Sequence, residues 1–274
     1  MMSNEAVAVV MSVYKNDISS QLKSAIESIL NQTLESISLY IMIDGVIDNE
    51  LSKLLDYYAV DERVFIISSP TNRGLAVSLN HLVDIVIAEG KFEYIARMDS
   101  DDISLPERLM VQVEYLKQNP DVDVLGGYCH EFGASFALNV KKVPLTHDEL
   151  VKYSLYKCPF IHPTVMFRKR VFQDGNRYPL DTCFSEDLAL WFLLLVRGYK
   201  FSNVDKVLIN YRINSDTLHR RSGLNKALSE VKLRIKYSLL LKNRSLKIYS
   251  LIVARGFFSL MPHPIKKMMY SKLR

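Results

Sequence analysis

The chain contains 274 residues, of which 49% are hydrophobic, 10% are aromatic and 24% are charged, with a formal net charge of +5 at pH 7. This composition excludes wholesale disorder, and the length predicts one large domain with an appendage. No run of about 18 uncharged apolar residues is present, and no basic segment followed by an apolar stretch opens the chain, so we predict neither a spanning helix nor a signal peptide.

Three apolar runs near the N-terminus predict strands that each end in polar residues. They cover residues 6–14, 38–44 and 64–68, and a helix-like apolar periodicity follows each of them. The second run ends at Asp44, and the third leads into Asn72, Arg73 and Gly74. Because open α/β sheets bind ligands outside the carboxyl ends of their strands, we expect these ends to meet in one crevice.

A fourth apolar run, residues 92–98, stops in three carboxylates, Asp99, Asp101 and Asp102, with Ser100 among them. Carboxylates this close repel one another unless a cation lies between them, and a hard divalent ion with oxygen ligands is the simplest such partner. A solvated turn before the next helix is the alternative reading of the same residues.

The middle of the chain predicts further alternation of strand and helix. Residues 109–116 read as a helix, 122–128 as a strand, 146–156 as a helix with capping-box spacing, and 164–167 as a strand. Asp121 and Asp123, beside the first of these strands, are predicted to be solvated turn acids. His162 lies between apolar neighbours, where a core histidine is commoner than a ligand.

Acidic residues reappear at the start of an apolar helix predicted over residues 188–196. Glu186 and Asp187 precede that helix, and the helix dipole alone would favour acids there by about 0.3–1 kcal/mol each. Trp191, one turn further on, either forms the floor of an acceptor site or fills the core. Residues 206–211 predict the last strand of the body.

The C-terminal segment differs in charge from the rest of the chain. Residues 220–274 contain 14 Lys and Arg against one acid, whereas residues 1–219 contain 21 basic and 29 acidic residues. We therefore expect a body at 1–219 and a basic amphipathic helical tail at 220–274. The tail suits an anionic membrane surface, and its few aromatics do not indicate nucleic acid. Helices that pack on the body with a solvated basic face are the alternative.

Taken together, these motifs resemble glycosyltransferase family 2, whose members are inverting enzymes with a GT-A fold and nucleotide-sugar donors. The resemblance covers roughly residues 5–215 and rests on the order of the motifs. The matching residues are Ser12, Val13 and Tyr14, then Asp44, Gly45, Asn72, Arg73, Gly74, Leu75, Ser78 and Asn80, then Asp99, Ser100 and Asp101, and then Ser185, Glu186, Asp187 and Trp191.

The resemblance implies an α/β body with a mostly parallel, Rossmann-like sheet flanked by helices, followed by a C-terminal helical extension. It implies a donor site, with a UDP-sugar as the expected donor, at Ser12, Val13, Tyr14, Asp44, Asn72, Arg73, Gly74, Asp99 and Ser100. It also implies Mn²⁺ or Mg²⁺ on Asp101 and Asp99, with His219 as a further candidate ligand. In the family an acid at Asp44 accepts a hydrogen bond from uracil, although the acid that usually precedes it is Ile43 here.

The implied mechanism uses Asp187 as the general base for an acceptor hydroxyl, with Glu186, Trp191 and His162 on the acceptor side. Bacterial enzymes of this kind commonly extend oligosaccharides linked to polyprenyl diphosphate for O-antigen, capsule or exopolysaccharide. We therefore expect a cytoplasmic protein that is peripheral on the inner membrane. A nucleotidyltransferase that makes nucleotide sugars and a non-enzymatic membrane-surface protein are the alternatives.

Overall fold

The computed structural model describes residues 6–182, 185–214, 224–242 and 245–261. Within these ranges, the strands are β1 (Val7–Val13), β2 (Ile37–Asp44), β3 (Val64–Ser69), β4 (Tyr94–Arg97), β5 (Ile103–Ser104), β6 (Val124–Phe132), β7 (Met166–Arg168) and β8 (Phe201–Arg212). The helices are α1 (Ser19–Leu30), α2 (Asn49–Tyr58), α3 (Leu75–Glu89), α4 (Arg108–Gln118), α5 (His147–Ser154), α6 (Lys169–Gln173), α7 (Glu186–Val196), α8 (Leu224–Leu240) and α9 (Leu246–Leu260). A short 3₁₀ turn covers His162–Thr164.

All eight strands form one sheet in the order β3-β2-β1-β4-β7-β6-β8-β5. β3, β2, β1 and β4 are mutually parallel, while β7 pairs antiparallel with both β4 and β6. β8 returns parallel to β6. The carboxyl ends of the first four strands therefore lie at one edge of the sheet, which confirms the predicted α/β architecture.

Helices cover both faces of the sheet. In β1, Val9 and Met11 point into a core with α1, α2 and α4, whereas Ala8 and Val10 point into a second core with α3 and α7. A parallel strand covered on both faces must be apolar at successive positions, which explains the uninterrupted apolar run in the sequence.

Some local predictions differ from the structure. β8 begins at Phe201, before the predicted residue 206, and α5 ends at Ser154, before residue 156. Asp121 is exposed as predicted, but the prediction for Asp123 was wrong. Asp123 is 5% exposed, because its carboxylate pairs with Arg170 and accepts the backbone N–H of Lys200 at 2.7 Å.

The described part of the tail forms two helices that pack on each other and on the body. Tyr237 of α8 stacks on Phe192 of α7, with ring centroids 4.9 Å apart. Side chains on the outer faces stay exposed, among them Leu239, Leu246 and Phe257. No helix in the described ranges is long and apolar enough to cross a bilayer.

Candidate active site

The three carboxylates of the predicted metal site lie in the loop that follows β4, at the carboxyl edge of the sheet. Asp99, Asp101 and Asp102 each offer an oxygen, and these atoms lie within 4.8 Å of one another. Burial raises the pKa of Asp102 well above its usual range, and the charges of Asp99 and Asp101 raise it further. Close carboxylates of this kind fit a hard divalent cation, whose preferred ligands are oxygens.

Asp102 anchors this loop to the far side of the sheet. Its Oδ1 atom accepts the backbone N–H of Arg212, at the end of β8, at 2.7 Å, and the side chain is fully buried. Its Oδ2 atom is buried without a partner among the described residues. Arg212 also donates from Nε to the carbonyl of Asp101 at 2.9 Å, so that both acids have a fixed backbone position.

Arg97, the last residue of β4, pairs with Asp99. The guanidinium group is 2% exposed, and its Nε and Nη1 atoms have no partner among the described residues. Burial disfavours its charge, but Asp99 more than offsets this effect and raises the pKa of Arg97. Among the described residues, two buried cations, Arg97 and Arg108, therefore lie within electrostatic reach of the carboxylate cluster.

A second group of side chains connects this cluster to the predicted general base. Burial raises the pKa of Tyr178, which lies within electrostatic reach of Arg97, Asp187, Glu186 and Asp99. The structure thus brings the start of α7 and the loop after β4 to the same phenol. Burial also raises the pKa of Glu186.

Tyr178 is held on both sides. Its hydroxyl forms a 3.0 Å hydrogen bond with Nε2 of His162, and its backbone is bonded twice by the side-chain amide of Asn80 at 2.8 and 2.9 Å. Burial and the charge of Arg97 lower the pKa of His162 well below its usual range, so His162 is neutral at pH 7. His162 therefore positions Tyr178, the phenol that lies within electrostatic reach of Asp187.

Asp187 occupies the first turn of α7, where acids suit the helix dipole. Its Oδ1 atom accepts the backbone N–H of Leu188 at 2.7 Å, and its Oδ2 atom accepts the thiol of Cys158 at 3.7 Å. Burial raises the pKa of Cys158 to about 12, and Asp187 contributes to the increase. The thiol is therefore protonated at neutral pH and acts as a donor to the carboxylate.

Asp44 supports the turn that carries the other donor-site candidates. Its two carboxylate oxygens accept the backbone N–H groups of Arg73 and Gly74 at 2.7 and 2.9 Å. Gly45 has φ +89°, and a Cβ atom there would lie 2.7 Å from the backbone nitrogen of Asn72, so the two turns require glycine at this contact. Each oxygen of Asp44 can accept a second hydrogen bond, but the residue is only 3% exposed.

The remaining candidates differ in exposure. Asn72 and Arg73 are exposed, Ser12 and Tyr14 are half-buried, and Ser100 is buried at the edge of the cluster. Because the side chain of Val13 is fully buried, only its backbone can contact a ligand. His219 lies outside the described residues.

Trp191 is completely buried among aromatic rings. It contacts Phe160 and Phe167 at centroid distances of 4.9 and 5.7 Å, and its indole Nε1 has no partner among the described residues. This packing supports the core alternative for Trp191.

Sequence reasoning did not assign roles to Arg97, Tyr178 or Cys158, and it counted Asp102 among the clustered acids without predicting its burial or its contact with Arg212. A single cation at the end of an apolar strand was a usable signal for Arg97. Tyr178 and Cys158 carry no local signal, because they approach the site through the tertiary fold.

A cavity of about 730 Å³ opens elsewhere, where the start of β8 meets α4 and the start of α5. It is lined by Tyr115, His147 and Lys200, among others, and by none of the candidate site residues that the structure describes. It lies at the amino end of β8, whereas the carboxylates lie near the carboxyl end. The candidate metal ligands therefore lie at the carboxylate cluster and not at this cavity.

Comparison with known proteins agrees with the geometry. The family model described as glycosyl transferase family 2 matches residues 8–175. The amylovoran biosynthesis glycosyltransferase AmsE of Erwinia amylovora is 30% identical over 270 residues, which cover 97% of this chain and 98% of AmsE. The UDP-Gal:alpha-D-GlcNAc-diphosphoundecaprenol beta-1,3-galactosyltransferase of Escherichia coli is 29% identical over 280 residues, with 97% and 95% covered.

Among solved structures, the mannosyltransferase PcManGT from Pyrobaculum calidifontis, in complex with GDP-Man and Mn²⁺, superposes with a TM-score of 0.64 at 13% identity. The match covers 99% of this chain and 74% of PcManGT. At that identity the likeness is one of fold, and the fold is of the GT-A type.

Proposed function

Because this chain belongs to glycosyl transferase family 2, we propose that it transfers a sugar from a UDP-sugar to a hydroxyl group of a lipid-linked oligosaccharide, with inversion at the anomeric carbon. One observation carries the proposal: Asp99 of the carboxylate cluster and Asp187 at the start of α7 both lie within electrostatic reach of the buried phenol of Tyr178. This shared neighbour supports a site in which Asp99 would help to bind the diphosphate and Asp187 would accept the proton.

The donor half of the proposed site is the loop after β4 with the neighbouring strand ends. Asp101 with Asp99 would hold Mg²⁺ or Mn²⁺, and this ion would stabilise the negative charge that develops on the departing diphosphate. The fit is supported by three oxygen donors within 4.8 Å and by the buried, unpartnered Oδ2 atom of Asp102 among the described residues. PcManGT, which shares the fold, is described with Mn²⁺.

The nucleotide would lie along the ends of β1 and β2 and the turn before α3. Ser12, Tyr14 and the backbone of Val13 contribute from β1, and Asn72, Arg73 and Gly74 contribute from the turn that Asp44 holds. Arg73 is exposed, so that its guanidinium can reach a phosphate or a base edge. The choice of UDP rests on the E. coli relative, whose name specifies UDP-Gal.

On the acceptor side, Asp187 takes the proton of the acceptor hydroxyl. As that oxygen forms its bond to the anomeric carbon, the bond from this carbon to the diphosphate oxygen breaks, and the electron pair leaves with the diphosphate. Attack from the face opposite the leaving group inverts the anomeric centre without a covalent intermediate. Leu188 and Cys158 hold the two oxygens of Asp187 for this role, with Glu186 beside it.

The acceptor is proposed to be linked to polyprenyl diphosphate and to reach the enzyme at an anionic membrane surface. The E. coli relative is named for an acceptor on diphosphoundecaprenol. The tail combines 14 basic residues with exposed apolar side chains on α8 and α9, a combination suited to peripheral binding on anionic lipid.

Thermal unfolding with a panel of nucleotides, with and without Mn²⁺, tests the proposal. A ligand at 100 times its Kd stabilises by about 2.7 kcal/mol, which raises the Tm by roughly 5–10 °C in a domain of this size. We expect UDP to stabilise wild type with Mn²⁺. The shift should vanish in Asp101→Ala and persist in Asp121→Ala, a control that removes an exposed acid away from the cluster. Asp187→Asn should keep the shift and lower transfer about 10²–10⁴-fold.

The alternatives predict other outcomes. A nucleotidyltransferase would be stabilised by a nucleoside triphosphate together with a sugar phosphate, and not by UDP. If no nucleotide moves the Tm of wild type while the protein still sediments with anionic vesicles, the membrane-surface reading replaces the enzymatic one.

A further inference from the structure

Arg234 of α8 extends from the tail into the body of the protein. Its side chain is 1% exposed, and its Nη1 atom donates to the carbonyl oxygens of Ser154 at 2.6 Å and Lys157 at 3.5 Å. The Ser154 carbonyl belongs to the last turn of α5, where backbone carbonyls lack a partner within the helix. Arg234 therefore caps the end of α5 from another element, with a cation at the negative end of the helix dipole.

The other nitrogens of Arg234 are held within the tail. Nε and Nη2 donate to Oε1 of Glu230 at 2.9 and 2.8 Å, and Nε of Arg255 on α9 donates to the same oxygen at 2.5 Å. Burial disfavours the charge of Glu230, but Arg255 and Arg234 outweigh it and lower the pKa to about 2. Glu230 thus remains ionised at neutral pH, and the guanidinium group of Arg234 is held on both sides.

The segment that Arg234 holds leads directly to the candidate base. Four residues after Ser154, the thiol of Cys158 donates to Asp187 at 3.7 Å. The same helix α8 also packs against α7, the helix that starts at Asp187, in a small core that contains Leu155, Leu188 and Tyr237. Both the segment and the helix that position Asp187 therefore rest on α8.

We propose that Arg234 is a positioning residue, which fixes the segment from Ser154 to Cys158 against the start of α7 and thereby orients the Asp187 carboxylate toward the acceptor hydroxyl. The inference rests on the proposed function for the role of Asp187, but the ordering of the segment by Arg234 does not. The helices that we propose to lie on the membrane surface thus also order the acceptor side of the active site.

The chain offers a matched control. Arg255 donates to the same carboxylate oxygen as Arg234, but it lies on the outer helix and its side chain is 39% exposed. Arg234→Met and Arg255→Met each remove one cation and leave Glu230 with the other. Only the first also removes the donor to the Ser154 and Lys157 carbonyls.

The first test measures the reactivity of Cys158 without metal or nucleotide. Iodoacetamide labelling at pH 8 is followed by peptide mass spectrometry, which separates Cys158 from the other two cysteines. Cys158 is half-buried, and burial and the neighbouring Asp187 raise its pKa to about 12, so we expect slow labelling in wild type. We expect labelling to be at least about tenfold faster in Arg234→Met and within about twofold of wild type in Arg255→Met, because only the first releases the segment.

If Arg234→Met does not fold, Arg234→Lys carries the test. Lysine keeps the charge and one donor but not the planar fork, so labelling should fall between wild type and the expected Met value. Labelling of a folded Arg234 variant at the wild-type rate would overturn the inference.

The second test measures transfer. Displacement of a catalytic group by a fraction of an ångström lowers turnover, so kcat of Arg234→Met should fall about tenfold, with the donor KM within about twofold of wild type. Arg255→Met should keep both values, and Arg234→Lys should recover part of kcat. A purely structural role would lower the Tm of both Met variants and leave the kcat of the folded enzyme unchanged.

The two tests separate the two proposals. Faster labelling in Arg234→Met with an unchanged kcat would overturn the positioning role. If labelling is faster in Arg234→Met but the wild-type protein transfers no sugar, the proposed function would be overturned. The ordering of the segment by Arg234 would then still be upheld.

Discussion

The Asp44 carboxylate could stabilise the turn before α3 or contact the nucleotide. The variant Asp44→Asn separates these two roles. The side chain is 3% exposed, and its two oxygens accept the N–H groups of Arg73 and Gly74 at 2.7 and 2.9 Å. Asparagine retains one acceptor oxygen, but its amide nitrogen would face the second N–H, so that two donors point at each other.

The cost follows from these contacts. A hydrogen bond to a charged group contributes about 1.5–3 kcal/mol, and a buried donor without an acceptor costs about 1–3 kcal/mol. We expect Asp44→Asn to lower the free energy of unfolding by about 2–4 kcal/mol, which corresponds to a Tm roughly 4–16 °C lower for a domain of this size. Thermal unfolding without nucleotide or metal measures the effect directly.

Asp48→Asn is the matched control. Asp48 caps α2 from an exposed position, where its Oδ1 atom accepts the N–H of Leu51 at 2.8 Å. Asn and Asp are nearly equivalent at an N-cap, so the change in unfolding free energy should stay below about 0.5 kcal/mol. If Asp44→Asn unfolds with the wild-type Tm but loses stabilisation by UDP, the carboxylate serves the nucleotide and the structural reasoning is refuted.

Two further predictions concern the core and the tail. Trp191→Phe should lower the unfolding free energy by about 2 kcal/mol or less, and Trp191→Ala should lower it by about 3–5 kcal/mol. The acceptor KM of Trp191→Phe should stay unchanged. A tenfold higher KM in a variant with the wild-type Tm would mean that the indole contacts the acceptor. Glu230→Gln should cost about 3 kcal/mol at pH 7, because it breaks a buried ion pair. Since the pKa of Glu230 is lowered to about 2, its ionised form stabilises the fold above the ordinary Glu value of roughly 4.3, and this contribution is lost as the pH falls toward 2. Urea unfolding at pH 7 and pH 3.5 should therefore show a smaller difference between wild type and Glu230→Gln at the lower pH, and a constant difference would contradict the assignment.

The tail illustrates how far each kind of reasoning extends. Its charge and apolar periodicity predict amphipathic helices, and the part of the tail that the structure describes contains two helices. Glu230 and Arg234 are four residues apart on α8, where such pairs meet within one helix. The contact of Arg255 with Glu230 was not predictable, because these residues are 25 positions apart and meet only when α9 folds back on α8. Gly256 permits that approach, since a Cβ atom there would lie 2.8 Å from Val231.

The sequence by itself determined the alternation of strands and helices, the strand ends that carry the candidate ligand-binding residues, and the candidate acids at 99, 101 and 187. These are local signals, because side-chain periodicity and the residues that follow a strand are written in consecutive positions. Only the tertiary structure decided that Asp123 is buried and that Trp191 lies in the core. It alone brought Arg97 to Asp99 beside Tyr178, since contacts between distant segments depend on the order in which strands pair and on the face that each helix covers.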